Sequence, residues 1–119
     1  MAVKTLNLGG IDVELKCTAA TSVLYRMEFG KDLFVEFNAY VEGSQEGVAP
    51  IGSIEMLEQA AYIMSRQANP KDKRTFIDWL DQFDDMMSFI DSIGEVADLL
   101  VEDRKQPDEP KKNKQLPQE

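Results

Sequence analysis

The side chains of this chain that could carry chemistry are carboxylates. Asp78, Asp81, Asp84 and Asp85 fall within a single short stretch. On a helix Asp78, Asp81 and Asp85 would share one face at i, i+3 and i+7, an oxygen-rich arrangement of the kind hard cations favour. Helical carboxylate sites of that type usually draw on a second ligand set, often Glu-x-x-His, and the chain contains no His. The expectation is therefore no metal, and a solvated polar face opposite Phe76, Leu80 and Phe83.

The absence of His also removes a His-activated Ser or Cys nucleophile and any His-containing zinc site. With one Cys, a single chain cannot assemble an all-cysteine zinc site, an iron–sulfur cluster or a CxxC couple. Cys17 reads as a reduced, small apolar filler. Gly30-Lys31 is not a phosphate loop. Tyr25 stands where the first Gly of GxxxxGK[ST] belongs, and Asp32 occupies the Ser/Thr position. No catalytic residue and no cofactor are expected.

Charge narrows the partners. Residues 1–103 hold 8 basic and 19 acidic side chains, a net of −11. Between Arg74 and Arg104 no base interrupts Asp78, Asp81, Asp84, Asp85, Asp91, Glu95, Asp98, Glu102 and Asp103. Such a body repels phosphate backbones, so nucleic acid is not an expected partner; a basic partner, or simple solubility, is the natural reading of the charge. No apolar run is long enough to span a bilayer, and residues 1–20 lack the pattern of a signal peptide. The expected location is the cytoplasm.

The elements that must position these groups follow from periodicity. Leu6 and Leu8 alternate with polar residues, Gly9-Gly10 follows, and Ile11, Val13 and Leu15 alternate again. Gly-Gly tolerates the positive φ angles of a two-residue turn, which predicts a hairpin over 3–16. Its register pairs Leu8 with Ile11, Leu6 with Val13 and Lys4 with Leu15, placing the five aliphatic residues on one face. Two strands are not stable alone, so that face is expected to pack on the helical segments 18–41 and 75–103 that follow.

A helical pattern over 18–41 follows, capped by Thr18 or Thr21, with Ala20, Val23, Leu24 and Met27 on its apolar side. Gly30 interrupts it as a kink or a break, and Leu33, Phe34, Phe37 and Val41 continue beyond. Residues 42–52 read as a loop. Ile54, Leu57, Ala61, Met64 and Ala68 predict a helix over 53–68, stopped before Pro70.

The stretch 75–103 carries two apolar lines. One is Phe76, Leu80, Phe83, Met87, Ile90, Ala97 and Val101. The other is Trp79, Met86, Ile93 and Leu100. The stripe is too wide for a coiled-coil seam and predicts two helices, about 75–86 and 88–103, with a break near Ser88. Residues 105–119 are too polar to order themselves and read as a disordered tail. The expected fold is α+β and mostly α. One domain over 1–104 packs the hairpin on four to five helices.

Phe76, Trp79, Phe83, Met86 and Met87, with Asp81 and Asp85 beside them, are candidates for partner binding, since Trp, Phe and Met are enriched at interfaces. Ordinary core use is the competing role, and Trp79 is placed toward the edge of the stripe. The surplus of large apolar groups on 76–101 also suggests self-association into a homo-oligomer.

The string Tyr25-Arg26-Met27-Glu28-Phe29-Gly30-Lys31-Asp32-Leu33, behind a short hairpin and ahead of an all-helical remainder, resembles the tail assembly chaperones of long-tailed phages and prophages of Gram-positive hosts. Phe76-Ile77-Asp78-Trp79-Leu80 and the Lys-rich tail are similar too. The resemblance implies that Tyr25, Arg26, Phe29, Gly30, Lys31 and Asp32 form a structural family motif. It implies a non-enzymatic protein that binds the tape measure protein, keeps it soluble during tail assembly in the host cytoplasm, and is absent from the mature virion. It also implies a ribosomal frameshift yielding a longer product. Lys111-Lys112-Asn113 permits the slippery run that this requires without demanding it, and a Lys-rich solubilising tail is the alternative reading. A rival reading of the acidic stretch is a decoy that mimics DNA and blocks a host enzyme.

Overall fold

In the computed structural model, which describes residues 3–45 and 53–105, the chain opens with strands β1 (Val3–Leu8) and β2 (Ile11–Lys16). They pair antiparallel in the expected register, Leu8 against Ile11, Leu6 against Val13 and Lys4 against Leu15. Gly9 and Gly10 both have positive φ, at 61° and 90°, the backbone a type I′ turn requires. Leu8, Val13 and Leu15 are buried, while Leu6 and Ile11 are half-buried against the same core.

Five helices follow: α1 (Thr21–Phe29), α2 (Leu33–Gln45), α3 (Ser53–Ala68), α4 (Phe76–Leu80) and α5 (Met86–Lys105). The architecture is α+β and mostly α, as the periodicities predict. The expected loop over 42–52 shrinks at its start, because α2 runs on to Gln45. The rest of that loop and the expected tail beyond residue 105 lie outside the described residues.

The centre of the molecule is α3. From Met56 to Ser65 every residue except Glu58 is buried, which marks a helix wrapped on all sides rather than along one stripe. It touches β2, α1, α2, α4 and α5, while β1 rests on α5. The hairpin is therefore covered by α3 and α5, not by the 18–41 segment.

Three expectations are corrected. First, α1 turns a different face inward. Thr21 and Tyr25 are buried, while Val23, Leu24 and Met27 are 43%, 36% and 75% exposed. A count of aliphatic residues misses this because the buried face is polar at its tips. Thr21 Oγ1 donates to Gln67 Oε1 at 2.6 Å, Gln67 Nε2 donates to Thr18 Oγ1 at 2.9 Å, and Tyr25 Oη donates to Gln59 Oε1 at 3.0 Å. Paired in this way, Thr and Tyr enter the core without the cost of stranded polar atoms. Neither threonine caps α1 by its side chain. Ala20 occupies the cap position, and Thr21 Oγ1 instead accepts from the Thr18 N–H.

Second, Phe34 does not join the apolar side of α2; of the two outcomes left open at Gly30, the break is the one found. Beyond the break Phe34 is 60% exposed, while Leu33 and Phe37 are buried.

Third, the break in the last helical stretch lies at 81–85, not at Ser88. Thr75 Oγ1 accepts from the Asp78 N–H at 3.2 Å and starts α4. Asp85 Oδ1 accepts from the Ser88 N–H at 3.1 Å and starts α5. Gln82 Nε2 donates to the Trp79 carbonyl at 2.9 Å at the end of α4. On α5 the buried residues are Phe89, Ile93, Val96, Ala97, Leu99 and Leu100, and Met86 and Met87 fall outside them.

A chain of ring contacts ties the helices together. Phe29 meets Phe76 at 5.2 Å, Phe76 meets Tyr62 at 5.4 Å, Tyr62 meets Trp79 at 5.8 Å, Trp79 meets Phe83 at 5.1 Å, and Phe83 stacks on Phe89 at 4.5 Å. Edge-to-face and offset geometries of this kind add about 0.5–1.5 kcal/mol per pair beyond burial.

Candidate functional site

The Tyr25–Leu33 string folds into the corner between α1 and α2. Tyr25 is fully buried, and its burial, with the carboxylates of Glu36 and Glu55 nearby, raises its pKa far above the ordinary phenol value. It stays a neutral hydrogen-bond donor to Gln59. Phe29 packs its ring 5.4 Å from that of Tyr25. Gly30, at φ 71°, closes α1 by donating its N–H to the Arg26 carbonyl at 2.8 Å. Asp32 Oδ1 accepts from the N–H groups of Phe34 and Val35 at 2.9 and 3.2 Å and so starts α2. Lys31 Nζ lies 4.0 Å from Glu36 and 3.9 Å from Glu55, loosely tying the corner to α3. Arg26 is exposed in the last turn of α1, where a cation suits the helix dipole. Within the fold, these contacts build the corner.

The candidate partner-binding residues separate into two groups. Trp79 is 1% exposed and donates its Nε1–H to Ser65 Oγ at 3.1 Å. It is among the largest fully buried side chains, at the heart of the core and not at the edge of a stripe. The 81–85 break swings α4 so that Trp79 points into α3. Phe83 is buried beside it and Phe76 half-buried, so neither offers a free ring face to a partner.

Met86, Met87 and Ile77 go the other way, at 67%, 59% and 62% exposed. Asp78, Asp81, Asp84 and Asp85 are exposed as well, so the α4–α5 connection presents apolar side chains set among carboxylates. Because α4 ends at Leu80, Asp78, Asp81 and Asp85 do not share a helical face. Among the described residues no group of three or more His, Cys, Asp or Glu side chains converges as metal ligands. The acidic surface continues along α5 through Asp91, Glu95 and Asp98.

The hollows have distinct characters. A small apolar one of about 110 Å³ lies between the β2–α1 connection, α2 and α5, lined by Cys17, Leu33, Phe34, Phe37 and Leu100 among others. A polar cleft of about 340 Å³ lies between the hairpin and the α3–α4 connection, where Arg74 grips Asp72. The guanidinium donates from Nη2 at 2.6 Å and from Nε at 3.0 Å, and holds the Asp72 carboxyl down at about 2. Both partners of this pair are satisfied, so it is a clasp for the connection.

Among the described residues no helix is long and apolar enough to cross a membrane. Comparison of the chain with protein-family models, with curated proteins and with solved structures found no match.

Proposed function

We propose that this chain is a non-enzymatic tail assembly chaperone of a long-tailed phage or prophage, acting in the host cytoplasm to bind the tape measure protein and keep it soluble. The observation that carries this reading is the Tyr25–Leu33 string, placed behind a hairpin and ahead of helices. The α4–α5 ridge supports it. Met86 and Met87 offer unbranched, flexible apolar contacts of the kind that adapt to varied helical partners, Ile77 adds a stiffer one, and Asp81 and Asp85 steer basic residues toward them. Self-association into several copies accompanies this role, because a partner far longer than the chaperone needs more than one copy to cover it. On this reading residues 105–119 sit where a frameshifted longer product would diverge.

The test is co-expression with the long coiled-coil protein encoded downstream. The chaperone should raise its soluble fraction and co-purify with it. Replacing Met86 and Met87 together by Ser should weaken the complex while leaving the thermal melt unchanged. A tape measure protein equally soluble with and without this chain would overturn the proposal.

One observation favours the second reading, an acidic decoy of DNA. All seven described carboxylates from Asp78 to Asp98 are exposed. That reading requires inhibition of a DNA-binding enzyme that excess duplex DNA relieves.

A further inference from the structure

We infer that the groove between α1 and the C-terminal end of α3 is a second docking surface, built to take an apolar protein segment that carries carboxylates. The groove encloses about 520 Å³. Its apolar wall is Leu24, Met27, Ile63 and Pro70; Arg66 and Lys73 line it as cations and Glu28 as a carboxylate, leaving one net positive charge. Met27 is the most exposed large apolar side chain among the described residues, at 75%, while Ile63 is 4% exposed and forms the floor.

Charge selects the occupant. Residues 66–74 hold Arg66, Lys71, Lys73 and Arg74 against Asp72 alone, inside a body that is otherwise strongly acidic. Arg66 is fixed in place. Its guanidinium lies 5.5 Å above the Tyr62 ring, donates to Tyr62 Oη at 3.1 Å and reaches Glu28 at 3.8 Å. Arg74 is committed to Asp72. Lys73 makes no ion pair or hydrogen bond with the described residues, and its exposed ammonium stands beside the apolar wall. A carboxylate of an incoming segment meets Lys73 there while its apolar side chains cover Met27 and Leu24.

The chain's own end does not fit, since residues 104–119 hold five basic and three acidic side chains. The groove thus prefers the opposite charge to the α4–α5 ridge, so one partner carrying both signs could be gripped at two places. That the segment belongs to the tape measure protein rests on the reading above; the charge preference of the groove does not.

The test titrates the isotope-labelled full-length chain with two amphipathic helical peptides that share one apolar face. One carries Glu and the other Lys beside that face. The Glu peptide should shift the amide signals of Leu24, Met27, Ile63 and Lys73. Lys73→Glu, an exposed change that spares the fold, should weaken its binding at least tenfold and turn the preference toward the Lys peptide. Shifts confined to Met86 and Met87, or a preference unaffected by Lys73→Glu, would overturn the inference. So would concentration-dependent shifts at the groove without peptide, together with a doubled mass by light scattering, because these would assign it to a second copy. Equal solubilisation of the tape measure protein by wild type and Lys73→Glu removes that protein as the groove's occupant and leaves the proposed function standing. Selective binding of the Glu peptide, with no effect of the chain on that protein, does the reverse.

Discussion

Replacing Trp79 by Phe separates a core role from an interface role. The indole is 1% exposed and its Nε1–H donates to Ser65 Oγ, itself on a residue only 7% exposed. Losing the second ring forfeits burial and leaves a partly unfilled space, together about 1–2 kcal/mol. Losing the donor leaves the Ser65 oxygen without its partner, about 1 kcal/mol more. The total of about 2–3 kcal/mol corresponds to a fall of roughly 10 °C in Tm for a domain of this size. Urea and thermal unfolding followed by far-UV circular dichroism measure it. Ser65→Ala should cost about 1 kcal/mol in the wild type and distinctly less in the Trp79→Phe background, because the two changes remove the same hydrogen bond. As the only Trp, residue 79 also reports directly: wild-type emission should be blue-shifted and resist acrylamide quenching. A variant as stable as the wild type within about 0.5 kcal/mol, yet impaired in self-association, would refute this placement and return Trp79 to the surface.

The hairpin turn offers an internal control. Gly9→Ala should cost about 2 kcal/mol, since φ is +61° and an added Cβ would sit 3.2 Å from the Phe89 backbone, whereas Gly10→Ala meets open space and should cost only its backbone strain, about 1 kcal/mol. The Asp72–Arg74 clasp predicts a pH dependence: Asp72 is lowered from 3.8 to about 2, so its stabilisation is complete above pH 4 and is lost as pH falls toward 2. With Arg74 partly in solvent the effect is about 0.5–1 kcal/mol, and Arg74→Ala should flatten the stability curve in that window. Asp32→Ala should lose about 1 kcal/mol through the start of α2, seen in a thermal melt, while the folded variant keeps its partner affinity. Leu15→Ala, at a fully buried site, should cost about 3–4 kcal/mol and Leu80→Ala, half-buried, clearly less.

Local periodicity and turn chemistry were enough for the hairpin and its register, and left the helices at four or five. A strand's side chains alternate with period two, and a Gly-Gly turn leaves only one register that keeps Leu6, Leu8, Ile11, Val13 and Leu15 together. An interruption at Gly30, though not whether it kinks or breaks the helix, and the charge reversal over 66–74 are also written in the residue order, although the groove that gives the latter its meaning is not. Tertiary packing decided the rest. Thr21 and Tyr25 face inward because Gln59 and Gln67, more than thirty residues away, supply their hydrogen-bond partners. Leu24 and Met27 are thereby turned outward into the groove wall. Trp79 is core because Ser65 and Tyr62 meet it from α3, while Met86 and Met87 reach solvent because the 81–85 break resets the helical phase. An apolar pattern along one helix records which residues could be buried. Which of them are buried depends on where distant segments place their hydrogen-bond donors, acceptors and rings.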